Sequence, residues 1–172
     1  MKKFLLPLLF LFLLIFESIF VQYLPDGILG KDRILVPHFL FVALLFLTIF
    51  VGKKKGVIYA AIFGLLFDVV YVEIIGIYLF LYPFISYLVS KIMHIMQANF
   101  IIAFLVSLFA VALLEVGVYE MDYLIHVTSL DFMSFLTLRF YPTLLLNAAF
   151  IILAGFPLKR LFENHLESLR DE

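Results

Sequence analysis

Four ionisable side chains, Glu17, Asp68, Glu115 and Arg139, are embedded in long apolar runs of this sequence. An ionisable group near the middle of a bilayer costs about 2.5–3.5 kcal/mol on insertion scales, so each must meet a partner, reach water or perform a task. One arginine can bridge one or two of the three acids and so fix how their helices pack. Carboxylates left over must protonate, face water or meet another chain. That arithmetic points to a polar, outward-facing cavity or groove that receives a ligand or another protein's transmembrane helix. Both readings stand at this stage, and the four residues together form the candidate partner-binding or structural cluster.

Other chemistry is thin. His126 follows Asp122 by four residues, but one histidine and one carboxylate do not make a metal site. His38, His94 and His165 fall at expected membrane boundaries or in the C-terminal tail, where a headgroup-level role suffices. The sequence holds no phosphate-binding loop, no serine–histidine constellation and no cysteine, which excludes thiolate ligation, cysteine catalysis and disulfides. No catalytic residue, metal site or cofactor is expected.

The elements that must position these groups follow from composition. Of 172 residues, 66% are apolar and 15% charged, with a mean hydropathy of +1.19; a soluble domain carries about 25% charged residues. The apolar excess falls in blocks of about twenty residues, the length that crosses about 30 Å of hydrocarbon. Six blocks predict an all-α, polytopic membrane protein whose transmembrane helices form one bundle and one domain over residues 1–172. The expected spans are at about 4–23, 34–51, 57–75, 76–92, 100–119 and 132–155, followed by a cytoplasmic amphipathic tail at 157–172. Too little chain remains for an extramembrane catalytic domain. Twelve basic against thirteen acidic side chains leave no basic excess for nucleic acid, so membrane lipid is the expected surrounding.

Local signals place the boundaries. No small-x-small cleavage pattern follows the apolar run Phe4–Phe16, so the first span reads as an uncleaved anchor. Pro25, Asp26, Gly27 and Gly30 mark a loop, and Pro37 is placed in the first turn of the second span. Gly52 to Gly56 reads as a tight basic hairpin, its three lysines making the G-x-x-x-G spacing a coincidence. Glu120 to Asp131 reads as a surface or interfacial loop, and Pro157 as the end of the sixth span.

With six spans both termini share one side. That side collects Lys2, Lys3, Lys53, Lys54, Lys55, Lys91, Lys159, Arg160 and Arg170, nine of the twelve basic residues, which makes it cytoplasmic in a multi-pass protein of the cell membrane. At 1.5 Å rise per residue, Glu17, Asp68 and Glu115 then lie about 20, 16 and 22 Å above the inner surface, and Arg139 about 10 Å below the outer one. All four occupy the central or outer half of the membrane.

The fourth span repeats Tyr78, Tyr82, Ser86 and Ser90 every four residues beside Pro83. This stripe reads as a helix-packing face, because tyrosine hydroxyls find partners within a bundle. In the sixth span Pro142 is placed to kink the helix near Arg139, and Thr143 and Asn147 read as interhelical hydrogen-bonding groups.

The stretch Gly64-Leu65-Leu66-Phe67-Asp68, followed by Gly76-Ile77-Tyr78, resembles the G-L-x-x-D…G-x pattern of the MreD rod shape-determining proteins of bacteria. Size, span number, lysine-bearing first hairpin and short tails extend the resemblance over nearly the whole chain. Ile75 departs from it where many members have proline. The resemblance implies an intramembrane role for Asp68 and helix-packing roles for Gly64 and Gly76. It also implies a non-catalytic subunit of lateral cell-wall elongation that associates with the bitopic protein MreC. Through MreC it would reach MreB filaments, the RodA glycosyltransferase and a class B penicillin-binding protein.

Six short spans without extramembrane domains are also similar to the substrate-binding subunit of an energy-coupling-factor vitamin transporter, and the two families are expected to share a fold. Glu17, Asp68, Glu115, Arg139 and the tyrosines could line such a subunit's pocket. Against this stand the absence of tryptophan and of alanine-rich motifs of the kind that dock a coupling subunit.

Overall fold

A computed structural model of the chain describes residues 5–24, 33–72, 74–96 and 99–170. Lys2, Lys3, the turn residues Pro25, Asp26, Gly27 and Gly30, and also Lys31 and Glu73, lie outside the described residues. The described chain is all-α: α1 (Leu5–Tyr23), α2 (Phe39–Phe50), α3 (Lys53–Tyr71), α4 (Ile77–Ile95), α5 (Phe100–Leu124), α6 (Phe132–Phe135), a π-helical turn (Leu136–Phe140) and α7 (Tyr141–Arg170). Helices α1, α4 and α5, and the rod that α6, the π-turn and α7 form over Phe132–Glu167, are long and apolar enough to cross a membrane; α2 is a shorter apolar helix. This is the architecture of a polytopic membrane protein.

Helix α2 explains the arrangement. Its sequence is apolar on every side, and a helix with no polar face must be enclosed. Residues Leu40 to Leu47 are wholly inaccessible, with α1, α3, α4, α5 and α7 packed around them. The outer helices turn their remaining apolar side chains outward: Leu8, Phe12, Ile62, Phe109 and Ile152 are each more than half exposed, as a lipid solvent allows. Helices α3 and α4 form a close hairpin. A Cβ on Gly64 would lie 2.5 Å from the Tyr78 carbonyl oxygen, so only glycine admits that approach. Gly76, by contrast, has open space around it but a φ of +126°; its need is conformational, to turn the chain into α4.

Several boundaries differ from those expected. The second span does not begin as a helix at residue 34. Residues 33–38 are non-helical and helix starts at Phe39, because Pro37 biases Val36 away from helical backbone. The lysines of the basic hairpin form the first turn of α3, leaving Val51 and Gly52 as the link. Gly56 is a packing position after all: a Cβ there would stand 2.6 Å from the Thr48 Cα of α2. Helix α5 continues through Leu124, five residues into the expected loop. Pro157 does not end the last span; it sits inside α7, exposed, and the amphipathic tail continues the same helix. Leu158 and Phe162 of that tail are buried, Phe162 stacking on Phe10 of α1 at 6.3 Å, so the tail's apolar face is covered by the bundle.

Candidate functional site

The ionisable residues set within the apolar runs are distributed over three places. Glu115 of α5 and Arg139 of the π-turn meet directly, Arg139 Nε donating to Glu115 Oε2 at 2.9 Å. The other oxygen, Oε1, accepts from His38 Nε2 at 2.6 Å. Glu115 and His38 are fully buried. The carboxylate therefore joins three parts of the chain, and His38, expected at a headgroup boundary, is a core residue instead. The signal that could have revealed it is Val36-Pro37-His38: a proline that halts helix before a histidine inside an apolar run leaves that histidine at a helix start within the bundle.

The lead-in to α2 is held by α7. Asn147 Oδ1 accepts from His38 N at 2.8 Å, while its Nδ2 donates to the Val36 and Thr143 carbonyls at 2.9 and 2.8 Å. Thr143 Oγ1 accepts from Val36 N at 3.2 Å. Thr143 and Asn147 thus satisfy non-helical backbone inside the protein, which would otherwise carry unpaired polar groups. Pro142 contributes as well. It has no N–H for the Leu138 carbonyl four residues back, which accepts from Ile34 N at 2.8 Å, and the adjoining turn is π-helical. That widened turn carries Arg139 toward Glu115.

Asp68 lies elsewhere. Its Oδ2 accepts from Gly76 N and Leu79 N at 2.9 and 2.8 Å, and Oδ1 from Tyr78 N at 3.0 Å. One buried carboxylate of α3 therefore closes the start of α4, where backbone donors point outward and the helix dipole favours negative charge. Glu17 does the same for α2: Oε1 accepts from Leu40 N at 2.7 Å. Its Oε2 has no hydrogen-bond partner among the described residues, although the residue is only 4% exposed. Neither Asp68 nor Glu17 is brought to Arg139.

Tyr78, Tyr82 and Ser86 face inward and are buried. Tyr82 stacks on Phe41 of α2 at 4.6 Å, beside Pro83 within α4. Ser90 is turned to its own helix, donating to the Tyr87 carbonyl. No group of three His, Asp or Glu among the described residues could hold a metal ion.

Two cavities open at the end of the bundle opposite the lysine hairpin. One of about 410 Å³ is lined by Glu17, Ser18, Gln22, Val36, Tyr71 and Tyr78, among others. The second, of about 250 Å³, holds Asp122 and Arg139 and shares Tyr71, Val72 and Tyr78 with the first. A third depression, of about 480 Å³, is an apolar groove. Phe39 is its buried floor, Phe16 and Phe20 of α1 form one wall, and Leu146, Ala149, Phe150, Leu153, Ala154 and Pro157 of α7 form the other.

Fold and site together define a class: a polytopic all-α membrane protein whose buried polar groups close helix starts and anchor a widened helical turn. The sequence comparisons narrow it. Residues 2–164 match the family described as rod shape-determining protein MreD. The rod shape-determining protein MreD of Bacillus subtilis (strain 168) is 36% identical over 172 residues, covering 100% of both chains. The cell shape-determining protein MreD of Streptococcus pneumoniae (strain ATCC BAA-255 / R6) is 29% identical over 122 residues, 71% of this chain and 74% of that one. The chain belongs to the MreD family of rod shape-determining proteins, non-catalytic membrane proteins. No solved structure matches it.

Proposed function

We propose that this chain crosses the membrane six times with both termini cytoplasmic and serves as the non-catalytic subunit of the cell-wall elongation machinery that maintains rod shape. It binds an MreC-like bitopic protein and thereby links RodA and a class B penicillin-binding protein to MreB filaments. The observation that supports partner binding is the apolar groove between α1 and α7. Residues 146, 149, 150, 153, 154 and 157 follow one another at the three- and four-residue steps of a single helix face. Ala149 and Ala154 keep that face low, which lets another helix approach closely in lipid. A single membrane-crossing helix fits it.

Deleting the protein should turn rods into rounded cells. Ala149→Trp, which fills the groove, is expected to cut recovery of the MreC-like protein several-fold in membrane co-purification at equal expression. Ile152→Trp, on the exposed side of α7 away from the groove, should leave recovery unchanged. Full recovery with Ala149→Trp would overturn the groove as the docking face.

A further inference from the structure

We infer that the larger polar cavity is a binding site for an organic ammonium group, presented either by a lipid headgroup or by a free small amine. Glu17 carries the argument. Its carboxyl group uses one oxygen on Leu40 N, in the first turn of α2. The second oxygen lacks a hydrogen-bond partner among the described residues, in a side chain that is almost wholly buried and lines the cavity. A buried carboxylate oxygen left without a donor is costly, and a charged donor offsets that cost most fully.

The walls select the same chemistry. Phe67, Tyr71 and Tyr78 line the cavity and pack on one another, with ring centroids 5.0 Å apart for Phe67–Tyr71 and 4.5 Å for Phe67–Tyr78. Aromatic faces beside a carboxylate attract an ammonium. Ser18 and Gln22 add neutral polar groups nearby. An anion is disfavoured, because Arg139 in the adjoining cavity is already engaged by Glu115 and has Asp122 beside it. At about 410 Å³ the space suits a group of small-ligand size. The site is separate from the α1–α7 groove, so it stands whether or not a partner helix docks there.

The test uses the full chain in nanodiscs of phosphatidylglycerol. One arm adds phosphatidylethanolamine and reads retained lipid by native mass spectrometry. The other titrates free ethanolamine, with glycerol as control, and reads the thermal unfolding midpoint. Selective retention of the amine lipid assigns the headgroup as source; an ethanolamine-specific rise in midpoint assigns the free amine. In either case Glu17→Gln, which keeps an oxygen for Leu40 N, should weaken binding at least tenfold. Val36→Phe, which fills the cavity and keeps the Glu17 side chain, should do the same if the first variant fails to fold. Equal binding of amine and control by the wild type, or wild-type binding by a folded variant, would overturn the inference.

Discussion

At the scale of single residues, Glu115 matters most because two cationic or donor groups depend on it. Replacing it with alanine leaves both His38 and Arg139 without their acceptor, and breaking a buried pair costs about 3–5 kcal/mol. Arg139→Ala should cost less, since Glu115 keeps His38. Thermal unfolding in detergent orders the two variants, and an equal or larger loss for Arg139→Ala would refute the shared role of the carboxylate. A charge exchange between positions 115 and 139 should restore only part of the loss, because the new arginine would face His38. Asp68 makes a different prediction. Alanine there strands three backbone donors at the start of α4, whereas asparagine keeps one acceptor oxygen. Loss of a helix cap typically costs about 0.5–2 kcal/mol, so the order of stability is wild type, Asn, Ala; heating followed by size-exclusion recovery measures it. The sequence named Glu17, Asp68, Glu115 and Arg139 because charge inside apolar runs is visible by inspection. It could not say that two of the acids bind backbone, since helix starts depend on where other segments end, nor that His38 completes the pair with Glu115.

At the scale of elements, glycine separates close approach from backbone conformation. Gly64 faces a backbone carbonyl that cannot move aside, so Gly64→Ala should force α3 and α4 apart at about 1–3 kcal/mol. Gly117 is the control: its added Cβ would meet only the side-chain tip of Leu81, at 3.1 Å and beyond, and the loss should stay below that of Gly64→Ala. Gly76→Ala meets no atom yet should also destabilise, through its positive φ, by about 1–3 kcal/mol. Unfolding midpoints for the three variants test the distinction, and a larger loss at Gly117 than at Gly64 would contradict it. The all-α class and the positions of the four long apolar helices and of the shorter α2 were legible because hydropathy over about twenty residues is a strong signal. Their ends were not. Pro157 is tolerated on an exposed helix face, and Pro142 yields a π-turn because Ile34 supplies the donor that the Leu138 carbonyl would otherwise lack; both outcomes depend on neighbours remote in sequence.

At the scale of the whole molecule, the charged residues divide the protein into two ends. Helix α3 begins at the Lys53–Lys55 turn and finishes beside the two polar cavities, where Glu17, Asp122 and Arg139 are found. The proposed topology puts the lysine end in the cytoplasm. The lead-in to α2 has Val36 N, the Val36 carbonyl and His38 N taken up by Thr143 and Asn147 of α7, so the short helix can start inside the bundle and still close at the Gly52 link. Because the chain has no cysteine, single introduced thiols read topology without background. Exposed positions at the cavity end, Ile74→Cys and Ser129→Cys, should react with a membrane-impermeant maleimide on intact cells. Lys54→Cys and Asn164→Cys, exposed at the lysine end and on the tail, should react only after permeabilisation. Six crossings require this alternation at all four sites, and labelling of Lys54→Cys from outside would reverse the orientation and place the polar cavities toward the cytoplasm.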